Sequence, residues 1–305
     1  MKDYVIGMDG GGTRTSVLIA DKEHGILDKY VKGSINYNGS NKLLVDSILK
    51  DIFQSAVERG YLKEACKAVC IGAAGVSNPL VKENILTIIR DMGFLCPVSL
   101  VGDQEAAFYG AFKTSSGIIL ISGTGSICYG KDKEGNAYRT GGFGHLIDDT
   151  GSGYAIGKDI LKAVVQAYDG RRESTILTGL VFSFLKINNI NQLISYVYDR
   201  DRSKKDIAGL SPLIEKAIDR KDKCAQEIIV KNVYDLGDLV TPVANHMNGE
   251  IPLAVSGSVL LNNRYIYDGF AERMKYLHPN ISVFRSNNPA ADGAVTLALK
   301  LIKQL

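Results

Sequence analysis

The sequence predicts an α/β protein of two domains, each built on a mixed β-sheet with helices on both faces. The chain has 305 residues, which is more than one hydrophobic core usually supports. Residues 4–112 alternate apolar runs and amphipathic segments in the order β-β-β-α-β-α-β-α, and this order favours a mixed sheet. A glycine-rich turn between two predicted strands occurs twice, about one domain apart, which suggests internal duplication.

The predicted elements follow from the spacing of apolar residues. Leu44, Ile48 and Ile52 recur at helical spacing, for example, and a boundary between the domains is best placed near Ser115. In the first half we expect strands at residues 4–8, 15–20, 26–31, 68–73 and 98–101, and helices at 42–59, 81–92 and 104–112. In the second half we expect strands at 118–122, 126–130, 136–140, 253–255 and 281–284, a mainly helical stretch over 154–247, and helices over 259–277 and 290–301.

Composition and charge exclude several classes of protein. Lys and Arg total 36 against 33 Asp and Glu, so the net charge of +3 gives no concentrated basic face for a nucleic acid. The segment 199–205 alternates in sign and is typical of a solvated surface. The five cysteines form no CxxC pair, the four histidines show no metal-ligand spacing, and no signal peptide or membrane-spanning segment is predicted. We therefore expect a cytoplasmic protein with reduced thiols and no membrane partner.

The first glycine-rich turn has the sequence Asp-Gly-Gly-Gly-Thr-Arg-Thr over residues 9–15. Glycines let backbone N–H groups approach an anion closely, and Thr13 and Thr15 add hydroxyl donors. Asp9 lies at a strand end, where its carboxylate suits Mg²⁺ bound through water. No Gly-Lys-Ser/Thr follows, so the turn is not a Walker A loop, and a hairpin without a ligand remains the alternative.

The second turn, Ser-Gly-Thr-Gly-Ser over residues 122–126, also joins two predicted strands and has the same alternative. Two such turns are less expected by chance than one, and together they suggest a nucleotide phosphate chain bound between two domains. Asp103 follows a strand and precedes a helix, where a carboxylate can accept the proton of a sugar hydroxyl. Taken alone, Asp103 is better explained as the N-cap of that helix.

Two further segments contain conspicuous glycines. The loop over residues 141–153 has five glycines, Phe143 and two carboxylates before a helix that starts at about Tyr154, which suits a small polar ligand or a structural Ω-loop. The junction around Gly257 joins a strand to a helix, where a bare glycine lets a flat base lie against the backbone. An ordinary βα turn is the alternative there.

In this order, the motifs DGGGTRT, GDQEAA, SGTGS, GGFGHLIDDTGSGYAIG and VSGSV resemble the N-acetylglucosamine kinase branch of the BadF/BadG/BcrA/BcrD-type ATPases. The resemblance extends from residue 3 to about residue 300. It implies two ribonuclease H-like, actin-like ATPase domains with a cleft between them, each a mixed five-stranded sheet with flanking helices. Their expected limits are residues 1–115 with the C-terminal helix 290–305, and residues 116–289 with a helical insertion.

The resemblance also implies the activity and the roles of individual residues. It implies an ATP-dependent kinase acting on the 6-hydroxyl of N-acetylglucosamine or N-acetylmuramic acid, with Asp103 as base. We also expect Mg²⁺ near Asp9 and a homodimeric assembly. The expected ATP-binding residues are Gly11, Gly12, Thr13, Arg14, Gly123, Thr124, Gly125, Ala208 and Gly257. The expected sugar-binding residues are Asn36, Asp103, Ser126, Gly142, Phe143, Gly144 and Asp149.

The chain departs from the family pattern near the expected sugar site. Phe143 stands where the family often has Trp, Asp148-Asp149-Thr150 where it often has Gly-Asp-Glu, and Ile127 where a polar residue can occur. Loss of bulk at Phe143 and Thr150 could admit a substrate as large as N-acetylmuramic acid. The alternatives are a glucosamine kinase, an ATPase that activates an iron–sulfur dehydratase, a sugar sensor without transfer activity, and an actin-like polymer.

Overall fold

The computed structural model describes residues 2–37, 41–112 and 116–303. None of the helices in these ranges is long and apolar enough to cross a membrane. The chain divides into two compact units, residues 1–115 with 286–305 and residues 116–285. Ser115, the predicted boundary, lies outside the described residues, and the predicted division into residues 1–115 with 290–305 and residues 116–289 stays a prediction.

The sheet of the first unit has five strands in the order β3-β2-β1-β4-β5. The first three strands pair antiparallel, whereas β1, β4 and β5 run parallel. The strands are β1 (Tyr4–Gly10), β2 (Arg14–Asp21), β3 (Ile26–Gly33), β4 (Cys66–Ala73) and β5 (Val98–Val101). The predicted mixed sheet is therefore confirmed for this unit.

Helices cover both faces of this sheet because β1 is apolar on both sides. Tyr4, Ile6 and Met8 belong to one buried cluster with residues of α1 (Lys42–Glu58) and α2 (Pro79–Asp91). On the opposite face, α3 (Asp103–Phe112) and the C-terminal helix (Ala290–Lys303) pack against the strands. The C-terminal helix approaches closely enough that a Cβ on Gly7 would lie 2.4 Å from the backbone nitrogen of Val295.

The sheet of the second unit repeats this topology, with strand order β10-β9-β6-β7-β8. Again the first three strands in sequence pair antiparallel. The fourth strand pairs parallel with the first, and the fifth pairs parallel with the fourth. The strands are β6 (Gly117–Ser122), β7 (Ser126–Lys131), β8 (Ala137–Gly141), β9 (Ile251–Ser256) and β10 (Ile281–Arg285). The two mixed five-stranded sheets confirm the predicted fold class.

Eight helices of the second unit account for the stretches predicted to be helical. A break falls at Asn263, whose side chain accepts a hydrogen bond from the amide of Ile266 and so caps a new helix within the predicted segment 259–277. The helices are α4 (Gly153–Tyr168), α5 (Ile176–Leu185), α6 (Ile190–Val197), α7 (Lys204–Ala208), α8 (Leu213–Ile218), α9 (Lys223–Ala244), α10 (Ser258–Asn262) and α11 (Arg264–Leu277).

Candidate active site

The first glycine loop, residues 11–13, joins β1 to β2 and is held from behind by the end of β3. The hydroxyl of Ser34 donates to the carbonyl of Gly11 at 2.8 Å, and the hydroxyl of buried Thr15 donates to the carbonyl of Gly33 at 2.7 Å. The hydroxyl of Thr15 is therefore engaged in structure and not offered to an anion. Gly12, Thr13 and Arg14 are exposed, so the outer side of this loop can meet a ligand.

Asp9 and Asp103 lie at the same edge of the first sheet. Asp9 pairs with Gly72 on β4, which in turn pairs with Val101 on β5, and Asp103 comes two residues after Val101. Burial raises the pKa of Asp9 to about 6, the charge of Asp103 acts in the same direction, and Arg14 partly opposes both. A carboxylate whose charge is disfavoured by burial and by a second carboxylate is typical of a catalytic or cation-binding position.

Asp103 does not occupy the N-cap position that its sequence context suggested. The helix α3 begins at Asp103 itself, and the amides of Glu105 and Ala106 both donate to the carbonyl of Gly102. These are the amides that an N-cap side chain would accept from. The Asp103 carboxylate instead accepts from the amide of Gln104 at 3.1 Å. Helix capping therefore does not explain a carboxylate at this position.

Asn36 lies beside the first glycine loop. The backbone amide of Asn36 donates to the hydroxyl of Ser34, and the same hydroxyl donates to the carbonyl of Gly11. The Ser34 hydroxyl thus links the predicted sugar-binding asparagine to the predicted phosphate loop. Ser34 was missed as a site residue, since a serine in a polar loop carries no distinctive signal in sequence.

The second glycine loop, residues 123–125, joins β6 to β7 and is held by the segment that leads into α4. The amides of Gly153 and Tyr154 donate to the carbonyls of Gly123 and Thr124 at 2.7 and 3.3 Å. Within the loop, the amide of Gly123 donates to the carbonyl of Gly125 at 2.9 Å. The first residues of α4 therefore fix the conformation of this loop.

Gly257 and Ala208 lie around this second loop. Gly257 has a φ of +88°, and a Cβ there would lie 2.3 Å from the carbonyl oxygen of Ser122. A Cβ on Gly153 would lie 3.6 Å from the Cβ of Ala208. The structure thus brings both predicted nucleoside neighbours close to the predicted phosphate loop of the same unit.

Asp149 is buried beneath the second glycine loop. The residue is 3% exposed, and its backbone has a φ of +65°, a left-handed conformation that is uncommon outside glycine. Its Oδ1 accepts from the amide of Ser126 at 3.3 Å, and its Oδ2 lies 3.7 Å from Nζ of Lys204. In this conformation the carboxylate braces the loop, and its predicted contact with a sugar stays a prediction.

Ser126, another predicted sugar ligand, is also buried, and its hydroxyl donates to the carbonyl of Thr150 at 2.6 Å. Lys204 was missed because it lies in the segment 199–205, which we interpreted as solvated surface. It is only partly exposed, and no local pattern in sequence links it to Asp149.

The predicted sugar loop, residues 141–152, exposes its aromatic residue. Gly142 and Gly144 have φ values of +76° and +95°, and Phe143 between them is 65% exposed. Arg139 lies over the Phe143 ring at 4.7 Å and donates to the carbonyl of Gly142. Asp148 accepts from the amide of Phe143 at 3.1 Å, so Asp148 orders this turn, whereas Asp149 points to the second glycine loop.

The cysteines do not support an iron–sulfur site. Four of the five are buried, and burial raises the pKa of the thiols of Cys70, Cys128 and Cys224, which disfavours the thiolate that such a cluster requires. Among the described residues, no three His, Cys, Asp or Glu side chains are arranged to hold a metal ion. The two carboxylates Asp9 and Asp103 could bind Mg²⁺ only together with phosphate and water oxygens, as is usual for this ion.

Known proteins resemble the chain along nearly its whole length. The model of the BadF/BadG/BcrA/BcrD ATPase family matches residues 6–298. The chain is 37% identical to an N-acetylmuramic acid/N-acetylglucosamine kinase of Clostridium acetobutylicum, covering 97% of this chain and 98% of that one. It is 27% identical to the N-acetyl-D-glucosamine kinase of Dictyostelium discoideum, with 98% of both chains covered.

Among solved structures, a protein proposed as an N-acetylglucosamine kinase of Chromobacterium violaceum superposes with a TM-score of 0.79. The two sequences are 25% identical, with 98% of this chain and 99% of that chain covered.

Proposed function

Because the chain belongs to the BadF/BadG/BcrA/BcrD ATPase family, we propose that it is an ATP-dependent kinase of the 6-hydroxyl of N-acetylglucosamine or N-acetylmuramic acid. The observation that carries this proposal is the position of Asp103. Its carboxylate lies at the same sheet edge as Asp9 and follows β5, beside a glycine loop that offers backbone amides. An acceptor hydroxyl needs such a carboxylate next to bound phosphates.

We assign the phosphates of ATP to the two glycine loops. Gly11, Gly12, Thr13 and Arg14 contribute from the first unit, and Gly123, Thr124 and Gly125 from the second. Ala208 and Gly257 flank the nucleoside. The closeness of Gly257 to the carbonyl of Ser122 supports this assignment, because any side chain there would displace the second loop.

Asp103 accepts the proton of the sugar 6-hydroxyl while the oxygen of that hydroxyl forms a bond to the γ-phosphorus of ATP. The bond between that phosphorus and the β,γ-bridging oxygen breaks, and ADP leaves with the electron pair. Asp9 would hold Mg²⁺ together with the phosphates of ATP, and the bound ion would supply positive charge to offset the charge on the transferred group. The raised pKa of Asp9 fits this role, since a neighbouring cation would favour its ionised form.

The sugar is proposed to contact Asn36, Asp103, Ser126, Gly142, Phe143, Gly144 and Asp149. Phe143 is the exposed member of this set and can cover an apolar face of the ring or the acetyl methyl group. Ser126 and Asp149 are buried, so they would reach the sugar only if the second glycine loop moved on binding. A homodimer and a cytoplasmic location, where ATP is available, complete the proposal.

The decisive test is ADP release with a panel of acceptors. Purified protein with MgATP is assayed with N-acetylglucosamine, N-acetylmuramic acid, glucosamine, glucose and no sugar. We expect release that depends on an N-acetylated sugar and a product phosphorylated at the 6-position by NMR. ADP release that is unchanged by every sugar would reject the kinase and favour an ATPase coupled to another protein.

A further inference from the structure

A cavity of about 610 Å³ lies in the second unit beside the predicted sugar loop. His145, Asp148 and Thr150 line the end formed by that loop, and residues of α4 and α6 line the rest. Thr150 is exposed, so the cavity is continuous with the surface of the predicted sugar loop. The cavity has no role in the mechanism described above.

The helix α4 directs two lysines into this cavity. Lys158 and Lys162 are four residues apart and therefore lie on the same face of the helix. Lys158 follows Tyr154 by one helical turn, and the ring of Tyr154 contacts that of His145 edge-on at 4.9 Å. Lys158 is consequently the cation nearer to the sugar loop, and Lys162 lies one turn farther along.

The other charged side chains of the wall already have partners in ion pairs or, for Asp148, in a hydrogen bond. Lys231 lies 3.0 Å from both Asp159 and Asp235, and Arg171 contacts Asp169 at 2.6 Å. Asp148 is engaged with the amide of Phe143. Neither Lys158 nor Lys162 forms an ion pair or a hydrogen bond with any residue that the structure describes. The cavity therefore has a surplus of positive charge next to the sugar loop.

We propose that this cavity receives the lactyl group of N-acetylmuramic acid and that Lys158, supported by Lys162, binds its carboxylate. This inference rests on the proposed function and adds to it the determinant that distinguishes the two sugars. N-acetylmuramic acid differs from N-acetylglucosamine by an anionic lactyl ether at the 3-position. The cavity is larger than that group, so its selectivity comes from the cations and not from close fit.

The test compares acceptors in Lys158→Gln, Lys158→Arg and the double variant Lys158→Gln/Lys162→Gln. Losing one charge-assisted contact is expected to raise KM for N-acetylmuramic acid by about 10-fold in Lys158→Gln and more in the double variant. KM for N-acetylglucosamine should stay within about 2-fold, as it has no carboxylate. Lys158→Arg should recover most of the affinity, because it keeps the positive charge.

Two controls distinguish the effect of losing the charge of Lys158 from a general loss of enzyme function. The methyl ester of N-acetylmuramic acid keeps the size of the lactyl group without its charge, so its KM should not respond to Lys158→Gln. Lys216→Gln removes an exposed lysine of α8 that does not line the cavity, and it should leave all acceptors unchanged.

The experiment distinguishes failure of the proposed kinase function from failure of the proposed lactyl site. A wild-type protein that phosphorylates no sugar rejects the proposed function itself. A wild-type protein that phosphorylates N-acetylglucosamine but not N-acetylmuramic acid, or a Lys158→Gln variant that loses both activities equally, rejects the lactyl site alone. A change of oligomeric state in Lys158→Gln by light scattering, with an unchanged ratio of the two KM values, also rejects it and identifies the cavity as an interface between copies.

Discussion

The two five-stranded sheets have the same strand order, yet the glycine loop that joins their first two strands is supported differently in each. In the first unit Asp9 is partly buried, and burial together with the charge of Asp103 raises its pKa. In the second unit the aspartate beneath the loop, Asp149, faces Lys204 and the amide of Ser126.

One topology thus supports two kinds of aspartate. The carboxylate of Asp149 accepts one hydrogen bond through Oδ1 and has Lys204 3.7 Å from Oδ2, whereas burial and the charge of Asp103 disfavour the ionised form of Asp9 and Arg14 offsets this only in part. A carboxylate whose ionised form lowers the stability of the folded protein is typical of a functional position. The comparison predicts that neutralising these two aspartates changes stability in opposite directions.

The largest expected effect is on Asp103, the carboxylate at the same sheet edge as Asp9. Asp103→Asn keeps the size of the side chain but removes the base, so kcat with N-acetylglucosamine should fall at least ~100-fold. The KM for ATP should change little, because Asp103 is assigned to the acceptor and not to the nucleotide. Steady-state ADP release checks kcat, and calorimetric titration with ATP checks binding. A variant that retains more than a tenth of the wild-type kcat would remove Asp103 from the role of base.

The second prediction concerns Asp9 and the pH dependence of stability. The pKa of Asp9 is raised from 3.8 to about 6 in the folded state, so its ionised form costs folding free energy above pH 6. Asp9→Asn should therefore stabilise the apo-protein by up to about 3 kcal/mol at pH 8, at about 1.4 kcal/mol per pKa unit. The gain should shrink between pH 6 and pH 4, where the wild-type carboxyl becomes protonated. Urea unfolding at several pH values measures this, and kinase activity should be lost.

A matched control lies on the same unit. Lys22 and Lys67 lower the pKa of Asp3, so its ionised form favours folding. Asp3→Asn should give no stabilisation at pH 8. A stabilising Asp3→Asn, or an Asp9→Asn variant that is less stable than wild type at pH 8, would contradict the distinction between the two kinds of carboxylate.

The third prediction is that neutralising Asp149, beneath the second glycine loop, lowers stability, whereas neutralising Asp9 raises it. Asp149→Asn removes a buried charge that faces Lys204 and leaves an amide group in its place, so the protein should lose about 1–3 kcal/mol of stability at pH 8. The second glycine loop should be less well held, and KM for ATP should rise by several-fold. Urea unfolding and ATP kinetics measure both effects. An Asp149→Asn variant as stable as wild type would show that the carboxylate does not brace the loop.

The smallest expected effect is at Phe143, which is exposed and lies under Arg139. Phe143→Ala should raise KM for N-acetylglucosamine by about 3–10-fold, through loss of apolar contact with the sugar and of the cation–π contact that orders the turn. Stability should change by less than about 1 kcal/mol, since the ring is not part of a core. Equal KM values for variant and wild type would place the sugar away from this aromatic residue.

The sequence by itself determined the elements and their order. Apolar periodicity is a local property, so the strands and helices of both units could be read from short windows, and the helix predicted at residues 104–112 differs by one residue from α3. The glycine turns and the carboxylate after β5 were equally visible, because each depends on residue types that are adjacent in the chain. Family membership followed from the same motifs.

Only the tertiary structure decided which of two adjacent aspartates faces inward and which side chains complete the site. Asp148 and Asp149 have the same local pattern, yet the left-handed backbone of Asp149 directs one carboxylate beneath the second glycine loop and leaves the other at the sugar loop. Lys204 lies near Asp149 across 55 residues of sequence, and Lys158 lines the same cavity as His145 and Thr150. Charge and burial act through space, so their partners cannot be read from spacing along the chain.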